Sequence, residues 1–301
     1  MSLVTAVITT HKREPEIVER ALKSILSQTY INIETIVVDD SPEDYAKRSD
    51  VQRMVESYSD NNVRYIQHNK CMGACVARNT GLEASNGDFI AFLDDDDEWK
   101  PEKIEKQLAK FESPSIGLVY CGSETFNEDA NTVKIRETKF ISGKIYEQLI
   151  INNFIGSTSF PLLRKSALEE IGGFDPLMQS AQDYDVWLRI SKLYEVDFVE
   201  DILVRYYVHQ SERITSDPKK KISGLNRIIE KNYEHIKINR QAYWSRTMEL
   251  APFYAANMQF FKAFSLWFKA ALKCPEKLKK NIYYARYIYL ERFVNTRKKK
   301  R

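Results

Sequence analysis

The first hundred residues alternate short apolar runs with amphipathic stretches, and this alternation restricts the chain to a sheet with helices laid on it. Val4 to Thr9 reads as a buried strand. Pro15 opens a helical stretch with Ile17, Ala21, Leu22, Ile25 and Leu26 on one face. Glu34 to Val38 is a second strand and ends in Asp39-Asp40, followed by a loop over Ser41 to Asp44. A polar helix over about 46–58 turns Val51, Met54 and Val55 inward, and Val63 to Gln67 is a third strand. Residues 73–84 form a helix with Val76, Ala77 and Leu82 inward, and Asn86-Gly87 is a turn. Asp88 to Leu93 is a fourth strand that runs straight into Asp94, Asp95, Asp96 and Asp97. Strand and helix in strict succession imply a parallel sheet covered on both faces. Ligands of such sheets bind beyond the carboxyl ends of the strands. Three strand ends here carry polar chemistry: Thr9-Thr10-His11, Asp39-Asp40 and Asp94 to Asp97. They are expected to meet on one rim.

The rest of the chain is less regular. Trp99 to Glu102 is expected to start a helix running to about Phe111, and 117–140 reads as strands with polar edges. In 141–152, Ile145, Leu149 and Ile150 are expected inside. Phe160 to Leu163 is extended, Lys165 to Ile171 helical, and Gly172 to Asp175 a turn. Asp183 to Tyr194 is an amphipathic helix with Val186, Trp187, Ile190 and Leu193 on one side. Val196 to Val208 is expected to hold two apolar strands, and the chain after 216 is helical, with breaks at Pro218, Pro252 and Pro275. At 301 residues, this amounts to one large domain or one with an appendage.

Composition excludes several classes. With 43% hydrophobic and 29% charged residues the chain is globular rather than disordered. Four cysteines, at 71, 75, 121 and 274, are too few and too irregular for a disulfide scaffold or a zinc finger, which favours a reducing compartment. The opening residues lack the basic and apolar regions of a signal peptide. No stretch reaches the ~18 to 20 apolar residues of a spanning helix. Residues 252–301 carry 13 Lys/Arg against two Glu, a local charge of +11, while the whole chain is only +3. The preceding 251 residues are therefore at −8, an acidic body with a basic tail rather than a nucleic-acid-binding surface.

The acidic run is the most informative motif. Asp94 and Asp96 alternate at a strand end and can aim two carboxylates at one site, an oxygen cage suited to Mg²⁺ or Mn²⁺ and to phosphate bridged through the ion. The competing reading is a solvated loop capping the next helix. Asp39 and Asp40 can accept hydrogen bonds from a base or a ribose, or can cap their turn. There is no GxGxxG and no GxxxxGK[ST], so neither a dinucleotide fold nor a P-loop is supported. Asp183 can serve as a base or as the cap of its helix.

The ordered set VTAVITTHKRE (4–14), ALKSILSQTY (21–30), IETIVVDDSPED (33–44), GACVARNTGLEASNGDFIAFLDDDDEW (73–99), IGGFDPLM (171–178) and AQDYDVWLRI (181–190) resembles the inverting glycosyltransferase family 2, over about the first 210 residues. The resemblance implies an α/β GT-A fold: a Rossmann-like, mixed but mainly parallel sheet flanked by helices. It implies a catalytic domain over 1–215, with a nucleotide-sugar part (1–110) and an acceptor part (111–215), followed by a basic helical extension over 216–301. The implied activity is sugar transfer (EC 2.4 class) from a nucleotide-diphosphate sugar, foremost a UDP-sugar, with Mg²⁺ or Mn²⁺. The implied acceptor is a hydroxyl of a saccharide or lipid-linked oligosaccharide in surface polysaccharide biosynthesis. By the same resemblance Thr9, Thr10 and Arg13 cradle the nucleotide, and Asp40, with Asp39 alongside, holds the base. Arg78 lies near base or diphosphate, Asp94 and Asp95 hold ribose or site geometry, and Asp96 ligates the metal. His209, after the last strand, is a further metal or phosphate residue, with an ordinary surface or core histidine as its rival reading. Asp183 is implied to be the catalytic base. The family often has Glu before it, where this chain has Gln182. A catalytically inactive carbohydrate- or nucleotide-binding relative and a sugar nucleotidyltransferase are the alternatives. The implied location is cytoplasmic, including the inner face of the plasma membrane, with oligomeric state open.

In the tail, Phe260, Phe261, Phe264, Trp267 and Phe268 are interleaved with Lys262 and Lys269. This pattern suits an interfacial helix on an anionic membrane and equally suits packed helix pairs.

Overall fold

The computed structural model of the chain describes residues 1–208, 217–277 and 279–286. Its first half follows the succession read from the sequence: β1 (Val4–Thr10), α1 (Pro15–Leu26), β2 (Ile33–Asp39), α2 (Arg48–Glu56), β3 (Val63–Gln67), α3 (Ala74–Ala84) and β4 (Phe89–Asp94). These four strands pair in parallel in the order β3-β2-β1-β4. β1 and β4 are buried almost end to end, as expected of strands covered on both faces. α1 buries Val18, Ala21, Leu22 and Ile25, which the 3.6-residue period stacks on one side.

The second half extends the same sheet. β5 (Glu98–Trp99), α4 (Lys103–Leu108), β6 (Ile116–Asn127), β7 (Thr132–Ile135), α5 (Tyr146–Leu149), β8 (Leu162–Arg164), α6 (Lys165–Glu170), α7 (Gln182–Leu193) and β9 (Glu195–Val208) follow in order. Among the described residues the nine strands make one mixed sheet, β3-β2-β1-β4-β8-β6-β9-β5, with β7 paired to β6. The short β8 is antiparallel to both β4 and β6 and so joins the two halves.

Two local expectations are corrected. Trp99 does not start a helix: Glu98 and Trp99 pair with β9, and the Trp99 ring is buried with its Nε1 donating to the Ser159 carbonyl at 2.9 Å. Val196 to Val208 is one strand, not two. Its register against β6 shifts on both sides of Gly122, where a side chain would lie 2.9 Å from the carbonyls of Glu200 and Asp201. Glycine lets the bulged strand come close there.

The chain divides into two compact units. The first comprises 1–146, 154–176 and 183–210. The second comprises 147–153, 177–182 and 211–301, so two short segments from within the span 1–215 pack with the C-terminal helices. Those helices are α8 (Pro218–Lys231), α9 (Tyr233–Ile238), α10 (Arg240–Ala256) and α11 (Phe260–Lys273). Pro218, read as a break, stands in the first turn of α8, where Asp217 caps the Lys219 N–H. α10, in contrast, runs through Pro252. Leu250, Ala251, Tyr254 and Ala255 around that proline are buried in one cluster with Leu225 and Ala263, and this packing outweighs the roughly 3 kcal/mol penalty of an interior proline.

Candidate active site

Register brings the three polar strand ends together. Thr10 of β1 lies opposite Asp39 of β2, Thr9 lies opposite Asp94 of β4, and the Asp40 N–H donates to the Thr10 carbonyl at 2.9 Å. All three ends belong to the first unit.

Asp39 and Asp40 are both buried, and each is engaged by the protein. Asp39 accepts from the Ser41 N–H and the Tyr65 hydroxyl, both at 2.7 Å, which is a turn-holding arrangement. Asp40 accepts from the N–H groups of Met72 and Gly73 at 2.7 and 2.8 Å and pairs with His68 Nδ1 at 2.8 Å. Burial pushes the Asp40 carboxyl up, but the hydrogen bonds from His68, Met72 and Gly73 outweigh it and hold the group below its usual value. His11, Asp40 and Cys71 also bring ligand atoms within 4.8 Å of one another, close enough to hold a metal ion. Sulfur and imidazole make this set softer than the all-oxygen set at 94–96.

The acidic run forms a turn closed by the Asp97 N–H and the Asp94 carbonyl at 3.0 Å. Exposure alternates along it: Asp94 and Asp96 are half-exposed, Asp95 and Asp97 buried. Arg13 spans two of these carboxylates, Nε to Asp95 at 2.8 Å and Nη2 to Asp96 at 2.6 Å. Burial works against the charge of Arg13, and Asp95 and Asp96 outweigh it. Burial lifts Asp95 to about 6 against the pull of Arg13. Asp97 is raised well above the usual carboxylate range by burial and by Asp94 and Asp96. It accepts from the Ser159 hydroxyl at 2.6 Å and the Tyr207 N–H at 3.1 Å, which pins the turn to β9. Arg20 adds a hydrogen bond to the Asp96 carbonyl and stacks on Tyr207 with its guanidinium 3.8 Å from the ring centre. Arg78, from α3, reaches Asp94 at 2.9 Å.

Asp183 stands in the first turn of α7 and accepts from the Tyr184 N–H at 2.7 Å. A short loop links its helix to the acidic turn. Trp187 Nε1, one helical turn on, donates to the Gly156 carbonyl at 3.0 Å. Ser157 and Thr158 donate to the two oxygens of Asp94 at 3.1 and 3.0 Å. Arg136 holds the other end of the loop through the Ile155 carbonyl at 3.0 Å, and burial lowers its pKa against the opposing pull of the Asp183 charge. Asp185 pairs with Arg189, which also binds the carbonyls of Ile171 and Gly173. Phe174 is buried against Phe92, and Asn79, next to Arg78, holds its backbone on both sides at 2.7 and 2.8 Å.

Thr9, Thr10, Arg13, Asp39, Asp40, Arg78, Asp94, Asp95 and Asp96 thus gather at one rim, with Asp183 joined to it through the 154–159 loop. His209 lies outside the described residues. Sequence reasoning missed Arg20, Arg136 and the bracing role of Asp97; it read Asn153 to Ser159 only as a lining of the acceptor entrance and singled out none of Ser157, Thr158 and Ser159. The only signal for the loop was a small polar run, which by itself means a turn.

A mixed sheet, parallel in its first half, flanked by helices and with a carboxylate turn at its strand ends is a GT-A-like fold. The profile of "Glycosyl transferase family 2" matches residues 5–172, and the chain belongs to that family. It is a glycosyltransferase, moving a sugar from a nucleotide-diphosphate donor to an acceptor. WcaA of Escherichia coli (strain K12), named as a colanic acid biosynthesis glycosyl transferase, is 31% identical over 209 residues, 67% of this chain and 71% of that protein. The UDP-Glc:alpha-D-GlcNAc-diphosphoundecaprenol beta-1,3-glucosyltransferase WfgD of Escherichia coli is 30% identical, covering 63% and 70%. Among solved structures, S. aureus TarS 1–349 in complex with UDP-GlcNAc superposes with a TM-score of 0.64 at 16% identity, covering 96% of this chain and 89% of that one.

Proposed function

We propose that the chain is an inverting transferase that uses a UDP-sugar and glycosylates a hydroxyl of a saccharide or lipid-linked oligosaccharide, in surface polysaccharide biosynthesis on the cytoplasmic side of the membrane. The observation that carries this reading is the bridge from Asp94 through Ser157, Thr158 and Gly156 to Trp187, which ties the acidic turn to the helix that carries Asp183 in its first turn. The UDP-linked name of one relative and the UDP-GlcNAc in one structural neighbour support the donor class.

In this reading Thr9, Thr10 and Asp40 frame the nucleoside, and Asp39 holds the turn that carries Asp40. Arg78 keeps Asp94 in place beside the donor. The oxygen donors at the turn suit a hard divalent cation, and the arginine already drawn to them shows how strongly the turn recruits positive charge. Asp96, with Asp94 and Asp95 beside it and His209 as a further candidate, would hold Mg²⁺ or Mn²⁺, which when bound would neutralise the departing diphosphate. Asp183 takes the proton of the acceptor hydroxyl, whose oxygen attacks the anomeric carbon from the face opposite the diphosphate. One displacement inverts the configuration, and the nucleotide leaves without a protein acid. Contact of 252–301 with an anionic membrane and self-association remain part of the proposal, not of the chemistry.

The test is a binding and transfer screen over nucleotide-sugars with Mg²⁺ or Mn²⁺. Asp96→Asn should lose donor binding. Asp183→Asn should keep donor binding and lose transfer by about 10²-fold or more. Full transfer by Asp183→Asn would refute the assigned base.

A further inference from the structure

α11 has two apolar faces, and among the described residues only one of them is packed in a buried cluster. Ala263, Leu266, Trp267, Ala270 and Cys274 recur at the helical period and pack into the two clusters of the second unit. Phe261, Phe264, Phe268 and Leu272 recur at the same period on another side and are 95%, 56%, 50% and 67% exposed. A contiguous stripe of three phenylalanines and a leucine is far from the scattered exposed apolar residue of an ordinary surface. Each of Lys262, Lys269 and Lys273 follows a member of the stripe by one residue. The Lys262 ammonium rests 4.3 Å from the Tyr254 ring centre, and that of Lys273 donates to the Lys237 carbonyl at 2.9 Å. Lys269 is the lysine that borders the stripe without such a contact among the described residues, and the whole segment stays positive. No Asp or Glu occurs between Glu249 and Glu276.

We infer that this stripe is a docking surface for an anionic lipid bilayer, with the helix lying in the interface plane. The rings enter the acyl boundary, the long stem of Lys269 lets its ammonium reach lipid phosphate, and Lys262 and Lys273 add their positive charge from beside the stripe. Charge selects this occupant: a second copy would bring one acid-free, positive segment against another, whereas a phosphate surface neutralises it. The inference rests on the transferase reading only for its purpose, since a lipid-linked acceptor is presented at such a surface.

The experiment is flotation of the full chain with phosphatidylglycerol-containing vesicles and with phosphatidylcholine vesicles, beside a Phe261→Ser/Phe268→Ser variant. The native chain should float with the anionic vesicles, less so at high salt, and the variant should bind roughly tenfold more weakly or worse. The replaced rings are exposed, so an unchanged melting curve is expected and checks the fold. In a second variant, Phe268→Trp, the fluorescence should shift to the blue with anionic vesicles alone. Native protein that fails to float, a double variant that floats as well as native, or a dimer that the double variant splits while floating is unaltered would overturn the assignment. Donor binding, measured without vesicles, should be the same in native and variant. Its absence from both would strike the transferase reading and leave the surface assignment standing.

Discussion

Gly156 shows how much of the site hangs on single residues. Its φ of +104° is a conformation that glycine alone adopts without strain, and a Cβ there would lie 2.4 Å from Arg136 Nη1 and 2.6 Å from the Phe160 ring. Its carbonyl receives Trp187, so the loop that holds Asp94 and the helix that carries Asp183 share this one peptide. Gly156→Ala should cost roughly 2 kcal/mol or more of stability. It should also depress transfer beyond donor binding, measured by denaturant melts and by steady-state kinetics on the folded fraction. Asn79→Ala should cost about 1–3 kcal/mol, because the Phe174 N–H and C=O lose their partner together. Asp94 to Asp97 were legible in the sequence, since four charges directly after an apolar strand can sit only at a rim. Ser157 to Ser159 were not, since their role comes from a partner more than 60 residues away.

At the scale of elements, the βαβ succession of the first half could be read from period alone, and it positions Thr9, Thr10, Asp39, Asp40 and Asp94 at one rim. The second half was harder because its strands are set by distant pairing. Trp99 sits in β5 because β9 offers it an edge, which no local propensity reports. α4 places Lys103 fully inside the protein, with its ammonium 4.1 Å from the centre of the Trp99 ring. Burial lowers its pKa from 10.5 to about 8. Between these two values the unfolded chain binds more protons than the folded one, so this lysine makes stability rise with pH across that window. Lys103→Met should stabilise the protein near neutral pH by up to about 3 kcal/mol and abolish its share of the rise. Denaturant melts of native and variant at about pH 7 and about pH 9 should show the gap narrowing as pH increases.

For the whole molecule, the sequence announced a helical tail but not which segments would join it. Residues 177–182 run from just after the GGFD turn to the first residue of α7, yet they pack with the second unit. There Ser180 donates to the Lys220 carbonyl at 3.1 Å, and Gly224 of α8 lies so close that a Cβ would come within 2.3 Å of the Ser180 carbonyl oxygen. Gly224→Ala should therefore cost roughly 1–3 kcal/mol, seen as a lower melting temperature. The ion pairs of Arg13 carry a different consequence for the molecule. A carboxylate cluster that brings its own counter-ion does not have to wait for a metal in order to fold. Exhaustive dialysis against a chelator should silence turnover while the melting temperature stays put, and returning Mg²⁺ or Mn²⁺ should restore activity with no refolding lag.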